Sequence, residues 1–80
     1  MKRGTVVESQ KGHDKGRLYV VIELCENYAL LCDGKRKTLS GPKKKNIGHI
    51  ADTGKAIELS AYSPLYDAHI KKELLRLSRS

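Results

Sequence analysis

Most of the chemistry this chain offers is cationic. Lys35, Arg36, Lys37, Lys43, Lys44 and Lys45 put six of its sixteen Lys and Arg side chains into one short window, broken by Gly34, Gly41 and Pro42. Closely spaced positive charge on loops suits a partner with a phosphate backbone, because each neutralised phosphate releases condensed counterions. Lys15 and Arg17 flank an earlier turn and would add cations beside the lysine loop on projecting outward. Lys43, Lys44 and Lys45 are expected to carry most of the contact, since Pro42 interrupts regular structure and exposes the residues after it. Ser40, Asn46 and the loop backbone would supply the remaining hydrogen bonds. A solvated loop kept soluble by its charge is the alternative for the same residues. Reversing Lys43, Lys44 and Lys45 to Glu is expected to abolish binding and leave the fold intact.

Other reactive residue types are scattered. His13, His49 and His69 sit on separate segments with no second ligand or nucleophile at a useful spacing, and read as surface or turn histidines. Asp14, Asp33 and Asp52 lie near turns, where an Asp side chain bonds to nearby backbone. Gly12 and Gly16 are spaced as G-x-x-x-G, but no GK[ST] comes after them and no helix opens there, so a nucleotide-binding loop is not expected. A hairpin turning at Glu26 and Asn27 sets Cys25 opposite Tyr28 and Cys32 opposite Val21, which separates the two sulfurs and argues for free, packed thiols. Neither cysteine has a CxxC partner or a histidine at ligand spacing, so no metal is expected. Tyr19, Tyr28, Tyr62 and Tyr66 are the only aromatic residues. They read as core or hairpin supports, with Tyr28 the one most exposed, which points to shape and phosphate recognition of a folded RNA rather than base stacking along a single strand. No catalysis, cofactor or small-molecule substrate is expected.

The elements that must carry these residues are short. With 80 residues the chain allows one domain, too small for a large internal cavity, and its formal charge of +7 implies an anionic partner. The basic start, Met1 to Gly4, leads into too short an apolar stretch for a signal peptide, and the longest apolar run, residues 18–22, is far below the roughly 20 residues a membrane helix requires. Residues 5–9 read as a first strand, 10–16 as a glycine-bounded turn, and 17–25 with 28–33 as the strongest strand pair. Leu18, Val20, Ile22 and Leu24 share one face, and the largely apolar Tyr19, Val21 and Cys25 the other, so both faces are partly covered. Residues 37–39 are expected as a fourth strand and 47–51 as a fifth that closes the sheet. Residues 52–62 fit either a strand or a crossing segment. Gly12, Gly16 and Gly34 are structural turn residues. The fold class is mostly β, a small barrel with a C-terminal helix: Ser63-Pro64 reads as a cap, the helix starting there or nearer Asp67, with Tyr66, Ile70, Leu74 and Leu77 as its apolar stripe. Residues 1–51 form the barrel, and 52–80 a crossing segment and helix packed on the same domain. Lys71, Lys72, Arg76 and Arg79 lie off the stripe and read as solvating and capping charge rather than RNA contacts.

Thr5-Val6-Val7, Gly12, Asp14-Lys15-Gly16-Arg17, Tyr19-Val20-Val21, Asp33-Gly34-Lys35, Pro42-Lys43-Lys44-Lys45-Asn46 and His49-Ile50 resemble a KOW domain. More narrowly, they look like the small bacterial KOW-domain RNA-binding proteins related to an archaeal and eukaryotic large-subunit ribosomal protein. The likeness covers roughly residues 4–50, with Gly16 at the family's characteristic glycine. It implies an SH3-like barrel and binding of RNA or ribosomal proteins through the loops. The expected partner is therefore ribosomal RNA, the expected compartment the cytoplasm, and the RNA-binding set Lys15, Arg17, Lys35, Arg36, Lys37, Lys43, Lys44, Lys45 and Asn46. The other reading is an adaptor whose barrel binds a ribosomal protein or the transcription machinery; general DNA compaction is a third.

Overall fold

Five short strands and one helix account for the regular structure of a computed structural model that describes residues 1–79. The strands are β1 (Thr5–Ser9), β2 (Leu18–Leu24), β3 (Tyr28–Cys32), β4 (Lys43–Asn46) and β5 (Ile50–Ala56), and the helix is α1 (Asp67–Ser78). They form one antiparallel sheet in the order β4-β3-β2-β1-β5. The two edge strands, β4 and β5, are joined only by the three-residue 3-10 turn Ile47–His49. In a flat sheet of five strands the edges would lie about 19 Å apart, whereas the connection reaches at most about 14 Å. The sheet therefore coils so that the end of β4 meets the start of β5. Two slips in the ladder sharpen the bend, one opposite Val6 and Val7 and one in β2 between Val21 and Glu23.

Coiling explains why both faces are apolar. One face carries Val6, Val20 and Cys32, and buries them under Ile57, Leu59 and the helix residues Ile70 and Leu74. Val7, Tyr19, Val21, Ala29, Leu31 and Ile50 form a second cluster. Leu18 and Ile22 pack with the first cluster as their alternation predicts, but Leu24 is 40% exposed. Ile22 is the extra residue of the β2 bulge, and beyond it the register changes. The same bulge moves Cys32 opposite Val20 rather than Val21, although the turn at Glu26 and Asn27 is as expected, with the Cys25 N–H donating to the Tyr28 carbonyl at 2.9 Å. Cys25 and Cys32 are free. Burial, with the carboxylates of Asp67 and Asp33 nearby, pushes the Cys32 thiol up to about 11, and its Sγ donates to the Thr38 carbonyl at 3.1 Å.

The fourth strand lies elsewhere than predicted. Residues 37–39 belong to a turn in which the N–H groups of Asp33 and Gly34 both donate to the Lys37 carbonyl, at 2.9 and 3.1 Å. The strand is Lys43–Asn46, paired with β3 from Leu31↔Lys43 to Tyr28↔Asn46. Pro42 precedes this edge strand, a position where its missing N–H costs no ladder bond. β5 begins at Ile50, not residue 47, and the sheet continues through residue 56, past the 51/52 boundary. Leu59–Ala61 is a 3-10 turn in the crossing to α1.

Helix α1 starts at Asp67, where His69 folds back: Tyr66 N–H donates to His69 Nδ1 at 3.0 Å, and the His69 ring stacks on Tyr62 at 4.3 Å. Ile70 and Leu74 are buried and Leu77 packs beside them, but Tyr66 is 61% exposed. The helix is tied to the loop after β3. Asp67 Oδ1 accepts the Leu39 N–H at 2.8 Å, and Gly34 presses against the first turn at φ +77°. A Cβ on Gly34 would stand 2.3 Å from the Asp67 carbonyl oxygen and 2.7 Å from Lys71 N. Gly34→Ala is therefore expected to destabilise by about 2–4 kcal/mol, summing the left-handed backbone cost and overpacking. In a domain this size that lowers the melting temperature by about 10 °C or more. Gly16→Ala, where an added Cβ meets nothing within 4 Å, bears only the backbone cost. Thermal unfolding of the two variants checks the difference.

Candidate functional site

The turn between β1 and β2 aims one carboxylate inward. Ser9 N–H donates to the Arg17 carbonyl at 2.9 Å and Gly16 N–H to the Ser9 carbonyl at 2.8 Å, closing the base of the turn, and Gly12 crosses its top at φ +92°. Asp14 is thereby buried at 9% exposure. Its Oδ1 accepts from Lys45 Nζ at 2.7 Å and Ser9 Oγ at 2.9 Å; its Oδ2 accepts from Tyr19 Oη at 2.9 Å, with Lys43 Nζ at 3.4 Å. Lys45 Nζ also donates to the Lys11 carbonyl at 2.6 Å. Burial alone would raise the Asp14 carboxyl, but bonds from Lys45, Tyr19, Ser9 and Lys43 outweigh it and hold the group well below the usual carboxylate range. Burial and the bond to Asp14 push the Tyr19 phenol up to about 12, which keeps it a donor.

The strand character of β4 divides the lysine trio. Residues two apart share a face, so Lys43 and Lys45 both turn to Asp14, while Lys44 is exposed with its ammonium 4.3 Å from the centre of the Tyr28 ring. The expectation of three exposed lysines on a loop is corrected: Lys45 is 9% exposed and works inside the fold.

Above this network opens a cleft of about 380 Å³. Asp14, Tyr19 and Lys45 are its buried residues, and Arg17, Arg36, Lys37 and Lys43 line it with Gly12 and His13. Five cations face one carboxylate, a formal excess of four. Arg17, Arg36 and Lys37 make no ion pair with any described carboxylate. The backbone beneath Arg36 and Lys37 is nonetheless braced, because Asp33 Oδ1 accepts the backbone N–H groups of Lys35, Arg36 and Lys37, each at 2.9 Å. Asp33 and Asp52 do the turn work expected of them, Asp52 Oδ1 accepting the Gly54 N–H at 2.8 Å. Asp14 does something different, and it is the residue that sequence reasoning missed, together with Tyr19 and Ser9.

Of the nine residues singled out, five line the cleft: Arg17, Arg36, Lys37, Lys43 and Lys45. Lys15 is exposed on the same turn but outside the cleft, and Lys35 borders the neighbouring groove. Lys44 lies over Tyr28, and Asn46 Oδ1 accepts the Gly48 N–H at 2.7 Å to cap the 3-10 turn. Among the described residues no group of three or more His, Cys, Asp or Glu side chains is placed to hold a metal ion, and no helix is long and apolar enough to cross a membrane. A scan against protein-family models matches no family, and a search of curated proteins finds no match. The cleft offers an array of cationic donors whose charge Asp14 offsets only in part, which suits an anionic ligand. Phosphate groups fit that description, with the guanidinium forks of Arg17 and Arg36 suited to bidentate contact.

Proposed function

We propose that this chain is an RNA-binding protein that docks on folded ribosomal RNA through the Asp14 cleft, on a barrel of the SH3-like KOW kind. The observation that carries the reading is the set of three cations, Arg17, Arg36 and Lys37, without carboxylate partners among the described residues, standing on braced turns around a carboxylate already saturated by Lys45 and Lys43. Free surface lysines on flexible loops are common; here Asp33 fixes the backbone that carries Arg36 and Lys37, so less loop entropy is lost on binding a ligand. The barrel is supported by the short link between the edge strands and by the two apolar clusters. The ribosomal part of the reading rests on the likeness of residues 4–50 to KOW proteins, and a cytoplasmic, ribosome-associated site comes with that likeness. Binding is electrostatic docking on the phosphate backbone, with no reaction catalysed.

Salt titration tests it. Fluorescence anisotropy of the protein with fragments of large-subunit ribosomal RNA, at rising salt, is expected to give a log–log slope of about −3 to −4, as for neutralising about four phosphates. Duplex DNA of equal length should bind more weakly. Failure to bind RNA, or affinity indifferent to salt, contradicts the proposal and favours an adaptor that binds protein through apolar contacts.

A further inference from the structure

Helix α1 presents a second basic face, which shares no lining residue with the Asp14 cleft. Leu18 and Tyr19, consecutive in β2, point to opposite sides of the sheet, the tyrosine into the cleft and the leucine toward the helix. Leu75 stands in the middle of the helix face and is 50% exposed. A groove opens on each side of it. One, of about 450 Å³, has Leu18 and Leu74 in its lining and Lys35 and Lys71 as its cations. The other, of about 500 Å³, lies against Tyr62 and is bordered by Lys72, Arg76 and Arg79. Leu75 lines both, as a ridge between two hollows. The charge around the ridge is mostly of one sign. Lys71 and Arg79 lie four residues before and after Leu75, so both fall on its side of the helix, with Lys72 beside them. None of these three, nor Lys35, makes an ion pair with a described carboxylate. Glu73 accepts from Arg76 Nε at 2.8 Å on one oxygen and from Tyr62 Oη at 2.9 Å on the other. Asp33 Oδ1 holds the backbone N–H groups of its own turn. Five cations thus border the two grooves against these two engaged carboxylates, a formal excess of three.

We infer that this face docks an acidic amphipathic segment of another protein. Apolar side chains of the segment straddle Leu75 and enter the two grooves, while its Asp and Glu residues meet Lys35, Lys71, Lys72 and Arg79. Charge complementarity sets the sign of the partner, and the leucine ridge sets its kind. An RNA backbone would pair with the cations but lay hydrated phosphates over Leu75 and leave the hollows unfilled. An acidic amphipathic peptide neutralises the rim and takes the leucine out of water in the same step. A second copy of this chain, with a formal charge of +7, is repelled. A membrane surface is disfavoured as well, because Leu75 is the one exposed large apolar residue of α1 and offers little area to insert. From Lys71 to Arg79 the face is about 12 Å long, which matches two to three turns of a helical segment, with apolar residues one turn apart for the two grooves. The inference uses none of the cleft residues and does not rest on the RNA-binding reading.

The test uses the full chain, with its leucine methyl groups labelled for NMR, and two synthetic helical peptides of about 14 residues, long enough to cross the face. One is built of Glu, Ala and Leu with leucines on successive turns; the other has the same charge and Gln in place of Leu. The leucine peptide is expected to shift the methyl signals of Leu18, Leu74 and Leu75 and the backbone signals of Lys71, Lys72 and Arg79. It should bind about tenfold more tightly than the Gln peptide, as for burying the exposed half of one leucine. Leu75→Gln, which keeps a good helix former at an exposed position, should hold the melting temperature and remove that preference. The pair Lys71→Glu and Arg79→Glu should weaken the leucine peptide at least about tenfold, and neither variant should alter affinity for RNA. Equal affinities for the two peptides, or shifts confined to Arg17, Arg36 and Lys37, would overturn the inference. A duplex RNA that moves the Leu75 methyls and the Lys71 and Arg79 signals would assign the face to RNA and overturn it too. So would a dimer seen in sedimentation that Leu75→Gln abolishes. RNA that fails to bind at the cleft while the leucine peptide still docks on α1 supports this inference and sinks only the RNA-binding reading.

Discussion

Asp14→Ala lowers the stability of the fold by about 3–5 kcal/mol, the cost of stranding a buried charge. Lys45 is 9% exposed, and its ammonium keeps only the Lys11 carbonyl once its carboxylate at 2.7 Å is gone. Tyr19 Oη and Ser9 Oγ lose their acceptor in the same step. Small domains have about 5–15 kcal/mol in total, so the variant is near its limit at 37 °C. Urea denaturation measures the loss, and a change below about 1 kcal/mol would show that the network does not hold the turn to β4. The double variant Asp14→Ala/Lys45→Met is expected to be more stable than Asp14→Ala alone, because the unpaired charge is then removed. The pH dependence has a defined sign. The folded-state carboxyl lies below its unfolded value of about 3.9, so its contribution is complete above that pH and is lost as pH falls through it toward the folded value. Asp14→Asn should remove this part of the acid sensitivity.

The second large effect is on binding. Reversing Arg17, Arg36 and Lys37 to Glu together should weaken RNA binding by at least about 100-fold near 0.1 M salt. A slope of about three on the logarithmic scale corresponds to roughly three decades of affinity between 1 M and 0.1 M salt, and reversal removes most of it. The melting temperature should hold within about 3 °C, because these side chains have no carboxylate partner among the described residues. Unchanged affinity in a folded triple variant would contradict the assignment of the cleft. The reversal of Lys43, Lys44 and Lys45 anticipated from sequence is not a clean test: Lys45→Glu sets a second carboxylate against buried Asp14, so loss of binding there would result from loss of fold.

These two variants also mark how much of the molecule is legible in the chain. The β2–β3 hairpin, its turn at Glu26 and Asn27, the first strand and the amphipathic helix are legible because each is a local pattern of alternation, turn residues or helical period. The bulge at Ile22 is not, since a slip in register leaves no mark in an apolar run that reads well on both faces. β4 is hidden for a different reason. Lys-Lys-Lys-Asn after Pro42 has the composition of a loop, and it becomes a strand because β3 offers an edge and Asp14 receives two of its side chains. A carboxylate 29 and 31 residues away from Lys43 and Lys45 gives no local signal, only the hint that one acid stands among Lys11, Lys15 and Arg17. The basic character of the site is therefore readable, while the division of labour within it, Lys45 to the fold and Arg17, Arg36 and Lys37 to the surface, depends on tertiary pairing.

Ultraviolet crosslinking of the protein in intact cells, with sequencing of the attached RNA and mapping of the crosslinked peptides, tests the central claim most directly. The account predicts a discrete ribosomal RNA footprint, with large-subunit or assembly fractions of a sucrose gradient containing the protein, and crosslinks on peptides that carry Arg17, Arg36 and Lys37. No RNA crosslinks, with the protein enriched in some other complex, would contradict it.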